Sequence, residues 1–384
     1  MTLKTRGPFA LFMIYLCPGT AWSLDPQSID IYGFDFTPTL LFSESYDDNF
    51  RELERAQSSM VTKVAPTFEL KAEDRNSGTR LIWQPTRYIY HDDSDASNTA
   101  QRLRLNSIME FTDRHRLKLE AEARKYERTT STAVDGVNDK IRSQRANGLY
   151  TYGARSAANQ IDLGASYARL RYDNSGGIND DKERDTTGLT TTWYHRIGSN
   201  TRGLLQYDHT VFDYESNTRL NSTSDAVLAG AEWDFTARTT GKVRVGYERK
   251  NFDDSEVDDL SNPTWQVDLR WKPRTYSTFS FVARQAMAEG DDGADAVKTT
   301  TALVGWRHGW TERITTVAEV GLGRYEYEGQ DRTDDLRDYN LGVEYAMRRW
   351  LDIELGYRYR NDDSDVDNQS FERNIFLLSF NVSL

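Results

Sequence analysis

The chain of 384 residues contains a single cysteine, Cys17, so no disulfide framework can exist within it. Proline is scarce at 8 residues, which argues against a polyproline or linker-rich protein. After residue 17 no stretch approaches the ~20 apolar residues of a membrane-spanning helix. Mean hydropathy is −0.73, so the chain is no helical membrane protein. Basic residues are outnumbered, with a net charge of −12, and nucleic acid is excluded as a natural partner. The five histidines, His91, His115, His195, His209 and His308, are scattered without metal-ligand spacing. No G-x-S-x-G nucleophile elbow occurs. These absences point away from an enzyme, and no cofactor or metal site is expected. Aromatics, by contrast, are abundant, with 21 Tyr, 16 Phe and 9 Trp, too many for a chain that never packs.

Residues 1–23 read as a signal peptide. Lys4 and Arg6 form its charged end, Phe9 to Cys17 its apolar core, and Ala21-Trp22-Ser23 a small-x-small cleavage site. Cleavage there removes the only thiol, which suits an exported protein without disulfides. Residues 24–34 read as a short periplasmic lead-in and 35–384 as one domain.

That domain repeats. Phe111, Tyr152, Trp193, Trp233, Trp271, Trp310 and Trp350 recur at intervals of 38 to 41 residues. Most stand beside a short basic turn, such as Phe111-Thr-Asp-Arg114 or Trp310-Thr-Glu-Arg313. Half a period away lie longer acidic segments, among them Asp253-Asp-Ser-Glu-Val-Asp-Asp259, Glu289-Gly-Asp-Asp-Gly-Ala-Asp295 and Asp362-Asp-Ser-Asp-Val-Asp367. Between these marks apolar and polar residues alternate. Lys242-Arg244-Gly246-Glu248 interleaves with Val243-Val245-Tyr247-Arg249, and Leu351-Ile353-Leu355-Tyr357-Tyr359 with Asp352-Glu354-Arg358-Arg360. Period two means strands with one apolar and one polar face. The pattern predicts about eighteen of them, the first over 35–46 and the last over 371–384.

A β-propeller would need four short strands per forty-residue blade. Here each repeat holds two strands of ten to fifteen residues, the length that crosses a bilayer when tilted. A soluble fold would also trap charged side chains in its core. Turned inside out, the pattern fits an all-β, antiparallel, up-and-down transmembrane barrel in the bacterial outer membrane. Apolar residues then face lipid, and the recurring aromatics named above form a periplasmic girdle at headgroup depth. The lumen-facing candidates are Arg102, Arg104, Lys242, Arg244, Asp268, Arg270, Glu344, Glu354, Arg358 and Arg360. Their mixed signs suit either a hydrated pore or ion-pair ladders that stiffen the wall. Rings of one sign would select ions of the other, and no excess of Arg for a polyanion is evident. The closing strand, Phe376-Leu378-Phe380-Val382-Leu384, is the kind of signal that barrel-assembly machinery reads.

Asp35-Phe36-Thr37-Pro38-Thr39-Leu40 and Tyr46-Asp47-Asp48-Asn49-Phe50 near the start resemble the opening of the β-barrel porin family found with exopolysaccharide gene clusters. Glu354-Leu355-Gly356-Tyr357-Arg358-Tyr359-Arg360 and Phe371-Glu372-Arg373-Asn374 are similar to that family's closing hairpin. The resemblance covers most of residues 34–384 and implies an outer-membrane barrel that helps make or export an exopolysaccharide or capsular polysaccharide. It implies no catalytic residues. Expected partners are outer-membrane lipid and lipopolysaccharide, the barrel-assembly machinery, and polysaccharide with its synthesis or export proteins. Two other roles fit the same residues, a plugged barrel that scaffolds the synthesis machinery and a general diffusion porin for small solutes.

The acidic loops have two readings. Asp363-Ser-Asp365-Val-Asp367 begins like a calcium loop, but Asn368 and Asn374 stand where glycine and glutamate are needed. The expectation is that these loops stay hydrated and repel one another, with divalent cations bridging them to lipopolysaccharide.

Overall fold

A computed structural model describes residues 28–130, 136–236, 238–290 and 293–383. The predicted signal peptide lies outside the described residues, as do Asp291, Asp292 and the terminal Leu384. The strands in order are β1 (Ile29–Ile31), β2 (Phe34–Asp47), β3 (Ser59–Asp74), β4 (Ser77–Tyr90), β5 (Asn98–Thr112) and β6 (His115–Arg128). There follow β7 (Asp139–Tyr152), β8 (Asn159–Tyr172), β9 (Arg184–Arg196), β10 (Thr201–Tyr214), β11 (Ser222–Thr236), β12 (Thr239–Phe252) and β13 (Leu260–Arg274). The last are β14 (Ser277–Glu289), β15 (Ala296–Gly309), β16 (Ile314–Glu328), β17 (Thr333–Arg348), β18 (Leu351–Ser364) and β19 (Phe371–Ser383).

Strands β2 to β19 pair antiparallel with their neighbours in chain order, and β19 returns to pair with β2. The sheet is therefore a closed barrel of eighteen long strands, with no lateral edge left for lipid to satisfy. All eighteen predicted strands are present, with bounds shifted by at most about four residues. The extra strand β1 lies in the predicted lead-in and is too short for alternation to reveal. It doubles back on β2 through Tyr32 and Gly33, which hold φ of 54° and 86°. Ile29–Ile31 pair with Phe34–Phe36, the part of β2 that β19 does not reach, because the β19 ladder stops at Thr39.

Connections alternate as expected. Two-residue turns such as Arg75–Asn76, Asp113–Arg114 and Tyr276 with its neighbour occupy one end, and the acidic segments occupy the other. Gly153, in the turn after β7, has φ of 118°, and a Cβ there would lie 2.9 Å from the Asn159 carbonyl oxygen. Only glycine closes that turn without moving its partner strand.

The curvature identifies the two faces. Side chains on the concave side of a barrel converge, so residues two strands apart can touch. Arg244 on β12 donates to Gln206 on β10 at 2.6 Å, skipping β11. Arg202 on β10 reaches Gln160 on β8 at 3.1 Å, and Arg307 on β15 reaches Glu344 on β17 at 2.5 and 3.0 Å. The interleaved residues point outward. Val245, Tyr247, Leu341 and Leu355 leave 51 to 61% of their surface uncovered by protein. That surface is the lipid band, and among the described residues no helix is long and apolar enough to cross a membrane.

Candidate functional site: the lumen and its outer mouth

The lumen is lined by charges that are mostly paired with one another. Arg102 meets Glu122 at 2.5 Å, and Arg104 lies directly opposite Glu122 in the β5–β6 ladder. Arg244 bridges Gln206 and Gln266, and Gln266 donates to Asp268 at 2.7 Å. Lys242 places its ammonium 5.6 Å from the centre of the Tyr194 ring. Glu344 receives both prongs of Arg307, Arg358 is clamped on Asp338, and Glu354 accepts from the Ser379 hydroxyl at 3.2 Å. Arg270 occupies the same face as Asp268 near the short-turn end, opposite Ser280. Arg360 points into the outer mouth and donates to Glu52 at 3.0 Å. All ten lumen candidates thus stand on the concave face, and the side-chain bonds run sideways around the wall as ladders.

The seven repeat aromatics gather at the short-turn end. Phe111, Tyr152, Trp193, Trp271, Trp310 and Trp350 are exposed there, and Trp233 is half-buried beside Gly241. Trp306 and His308 extend the belt, with the His308 ring 4.3 Å from that of Trp310. Toward the loop end a second set of outward aromatics, including Tyr46, Tyr207 and Tyr247, marks the opposite margin of the apolar band.

The outer mouth differs from the expectation for the acidic loops. Part of the rim folds inward and pairs with basic residues, while segments such as 253–259 and 363–368 stay largely exposed. The loop between β2 and β3 buries Phe50, Arg51 and Glu52 at 1, 2 and 4% exposure. Phe50 packs on Tyr90 with ring centres 4.9 Å apart. Arg51 bonds Asp93 at 2.7 Å and the Thr129 carbonyl at 3.1 Å, while Glu52 takes bonds from Arg360 and from Arg373 at 2.8 Å. Farther round the rim Arg219 pairs with Asp295 at 2.5 Å, Arg332 with Asp334 at 2.5 Å, and Lys250 with Glu289. Apolar residues fill the gaps between these pairs, one group being Tyr214, Leu220, Phe252 and Val257 and another Ala294, Val297, Tyr325 and Tyr327. Several of the loop carboxylates therefore meet counter-charges, a relation that net charge conceals, while Asp253, Glu256 and Asp258 in one segment and Asp363, Asp365 and Asp367 in another stay exposed.

The loop acids carry the electrostatic mark of this pairing. Burial works against the charge of Glu52, but the guanidinium groups of Arg360 and Arg373 outweigh it and hold the carboxyl below its ordinary range. Asp93 is likewise lowered, burial being outweighed by Arg51 and by the backbone N–H groups of Ala96 and Asp95. Among the described residues no three His, Cys, Asp or Glu side chains converge to hold a metal ion. Asp365 is engaged elsewhere, accepting the Thr333 N–H at 2.9 Å.

The histidines find ordinary partners. His115 bonds the Tyr150 hydroxyl, His195 the Asn159 side chain at 3.0 Å, and His209 shares Asp225 with Tyr207 on the outer face. Inside the wall, below the mouth, a cavity of about 450 Å³ opens between β14 and β19.

The outer membrane protein OpdK from Pseudomonas aeruginosa superposes with a TM-score of 0.51 at 11% identity, covering 91% of this chain and 99% of that one. A BenF-like porin from Pseudomonas fluorescens Pf-5 gives 0.49 at 12%, with the same coverage. The FrpB iron transporter from Neisseria meningitidis gives 0.46 at 12%, and this chain, 85% covered, spans 62% of its length. At such identities the likeness is one of fold. No curated protein matches in sequence. The family model described as "Putative beta-barrel porin 2" matches residues 24–384, so the chain belongs to that family and is a porin-like β-barrel of the bacterial outer membrane.

Proposed function

We propose that the barrel is a passage component in the synthesis or export of an exopolysaccharide or capsular polysaccharide, acting as a conduit and not as a catalyst. The observation that carries this reading is the lumen wall, in which Arg and carboxylate side chains are paired along ladders, as in Arg102–Glu122 and Arg307–Glu344. Such a wall has no ring of one sign to hold an ion, yet it offers many hydrogen-bond donors and acceptors to a hydroxyl-rich chain. The family resemblance in the first and last hairpins supports the same pathway. Partners on this reading are the polymer and its synthesis proteins, with lipopolysaccharide around the rim and the assembly machinery during insertion. Deleting the gene should reduce surface polysaccharide, and a plasmid copy should restore it. Unchanged surface polysaccharide in the deletion strain would overturn the proposal.

A second reading has its own support. Apolar groups around Phe252 and Tyr325 pack at the loop end, and they support the reading of a closed barrel that scaffolds the synthesis machinery. A polysaccharide defect combined with a silent barrel in bilayers would select it. Uptake of small solutes without a polysaccharide defect would select a general diffusion porin.

A further inference from the structure

The period-two rule breaks on one side of the lumen. Strands β14, β15, β17 and β19 turn Val282, Leu303, Leu336, Ile375 and Leu377 inward around one recess, a larger apolar group than the inward Leu204 and Leu228 of β10 and β11. Beside them Gly321 and Gly323 of β16 and Gly356 of β18 contribute no side chain, so the wall is hollowed into the cavity of about 450 Å³. The register sets these positions side by side, with Gly321 between Leu303 and Asp338 and Gly356 beside Leu377. A water-filled channel has no use for an apolar floor in a recess of ligand size, since ordinary ligand pockets run from ~300 to 1,000 Å³.

The rim of the recess is polar and unbalanced. Glu319, Asp338 and Glu354 line it together with Asn340 and Arg358. Arg358 is already clamped on Asp338, and the neighbouring Arg360 is engaged with Glu52. Among the described residues Glu354 accepts from the Ser379 hydroxyl at 3.2 Å and Glu319 from the Asn340 amide at 3.4 Å, so both carboxylates retain capacity to accept. An occupant must therefore bring hydrogen-bond donors to the rim and present a face without hydroxyls to the floor. An anionic occupant would meet three carboxylates and two guanidiniums, those of Arg358 and Arg360, that are already paired.

We infer that this recess is a binding subsite for a neutral sugar residue bearing an apolar substituent, a deoxy or O-acylated hexose, with its hydroxyls on Glu319 and Glu354 and its methyl group on Leu303 and Leu377. The sugar identity rests on the export reading; the preference for a neutral, methyl-bearing ligand rests on the recess alone. Hexuronic acids are disfavoured by the carboxylate rim.

Saturation-transfer difference NMR on the detergent-solubilised full-length protein tests it, with a methyl 6-deoxyhexoside, an O-acetylated methyl hexoside and a methyl hexuronide as probes. The ring-methyl or acetyl protons should receive the strongest saturation, and the hexuronide should bind roughly tenfold more weakly. Gly321→Leu fills the recess, because a Cβ there already sits 3.5 Å from the Asp338 Cβ and 3.6 Å from Leu303. It should abolish the transfer while the barrel keeps its heat-modifiable migration; Leu377→Asn, which leaves the space open, should weaken it. Equal binding of the hexuronide, or undiminished transfer with both variants, would overturn the subsite. Absence of any binding by a protein that restores surface polysaccharide would overturn the subsite and leave the export role standing. Binding by a protein whose deletion leaves surface polysaccharide unchanged would keep the subsite and remove the export role.

Discussion

Asp47 and Arg373 stand 326 positions apart and are joined by a two-pronged ion pair, with Arg373 Nη2 at 2.6 Å and Nε at 3.1 Å from the carboxylate. The pair straddles the seam where the last strand closes on the first. Around it Asn374 bonds Asp48 at 2.7 Å, Asn49 bonds the Glu372 carbonyl at 2.8 Å, and Glu52 receives Arg373. The two short motifs at opposite ends of the sequence that carried the family resemblance are thus halves of one network.

The network predicts a ranking of variants. Arg373→Gln leaves both Asp47 and Glu52 buried without their shared cation, and breaking such a pair costs about 3–5 kcal/mol. Asp47→Asn should cost less, because Arg373 keeps Glu52. Denaturant midpoints in lipid vesicles should fall in that order. A larger loss for Asp47→Asn would contradict the assignment of Arg373 as the shared group.

The mouth should respond to acid with a defined sign. Glu52 and Asp93 both have carboxyls held below their ordinary values, so their pairing stabilises the folded loop fully above about 4.5. That contribution is lost only as pH falls through the depressed folded values. Protease sensitivity of the β2–β3 loop should show no rise between neutral pH and about 4.5 and should rise below it. A rise centred between pH 5 and 7 would point to histidine instead.

Sidedness makes a third prediction. Val245→Arg and Val343→Arg put a charge into the lipid band and should each cost ~2–4 kcal/mol at mid-bilayer depth. Asn340→Arg faces the lumen near Glu319 and should be tolerated. Gln266 also faces the lumen but is a poorer control, because its side-chain oxygen accepts from Arg244. Refolding into vesicles measures all three, and equal penalties would reverse the face assignment.

Close approach of β11 and β12 supplies a fourth. A Cβ at Gly246 would sit 1.9 Å from the Val227 carbonyl oxygen, and one at Gly230 2.0 Å from that of Val243. Gly246→Ala must push two paired strands apart, and overpacking of this kind costs about 1–3 kcal/mol. Gly321→Ala meets nothing closer than 3.5 Å and should be near neutral in the same unfolding measurement.

Strand positions, barrel closure and the inward residues were legible because alternation is a local property of the sequence and sidedness follows once lipid is the outer solvent. Lys242 and Arg244 could be assigned from their neighbours alone. The mouth was not legible. Nothing near Arg51 in the sequence indicates that it would meet Asp93 and Thr129, or that Glu52 would turn with φ of 51° toward Arg360. Those contacts depend on which loops the curvature brings together, and composition reports only that the loops are acidic. The inward Ile375 and Leu377 interrupt the polar face of β19, and the glycines that hollow the wall beside them lie on other strands.

On the conduit reading the lumen is hydrated, and the loop that carries Arg51 and Glu52 restricts its outer mouth. Single-channel recording of the purified protein in planar bilayers, wild type against Glu52→Gln, tests it most directly. The account predicts small, discrete conductance steps in the wild type and larger or more frequent openings once Glu52 no longer holds Arg360 and Arg373. Silence in both proteins, with the barrel intact by heat-modifiable migration, would contradict it.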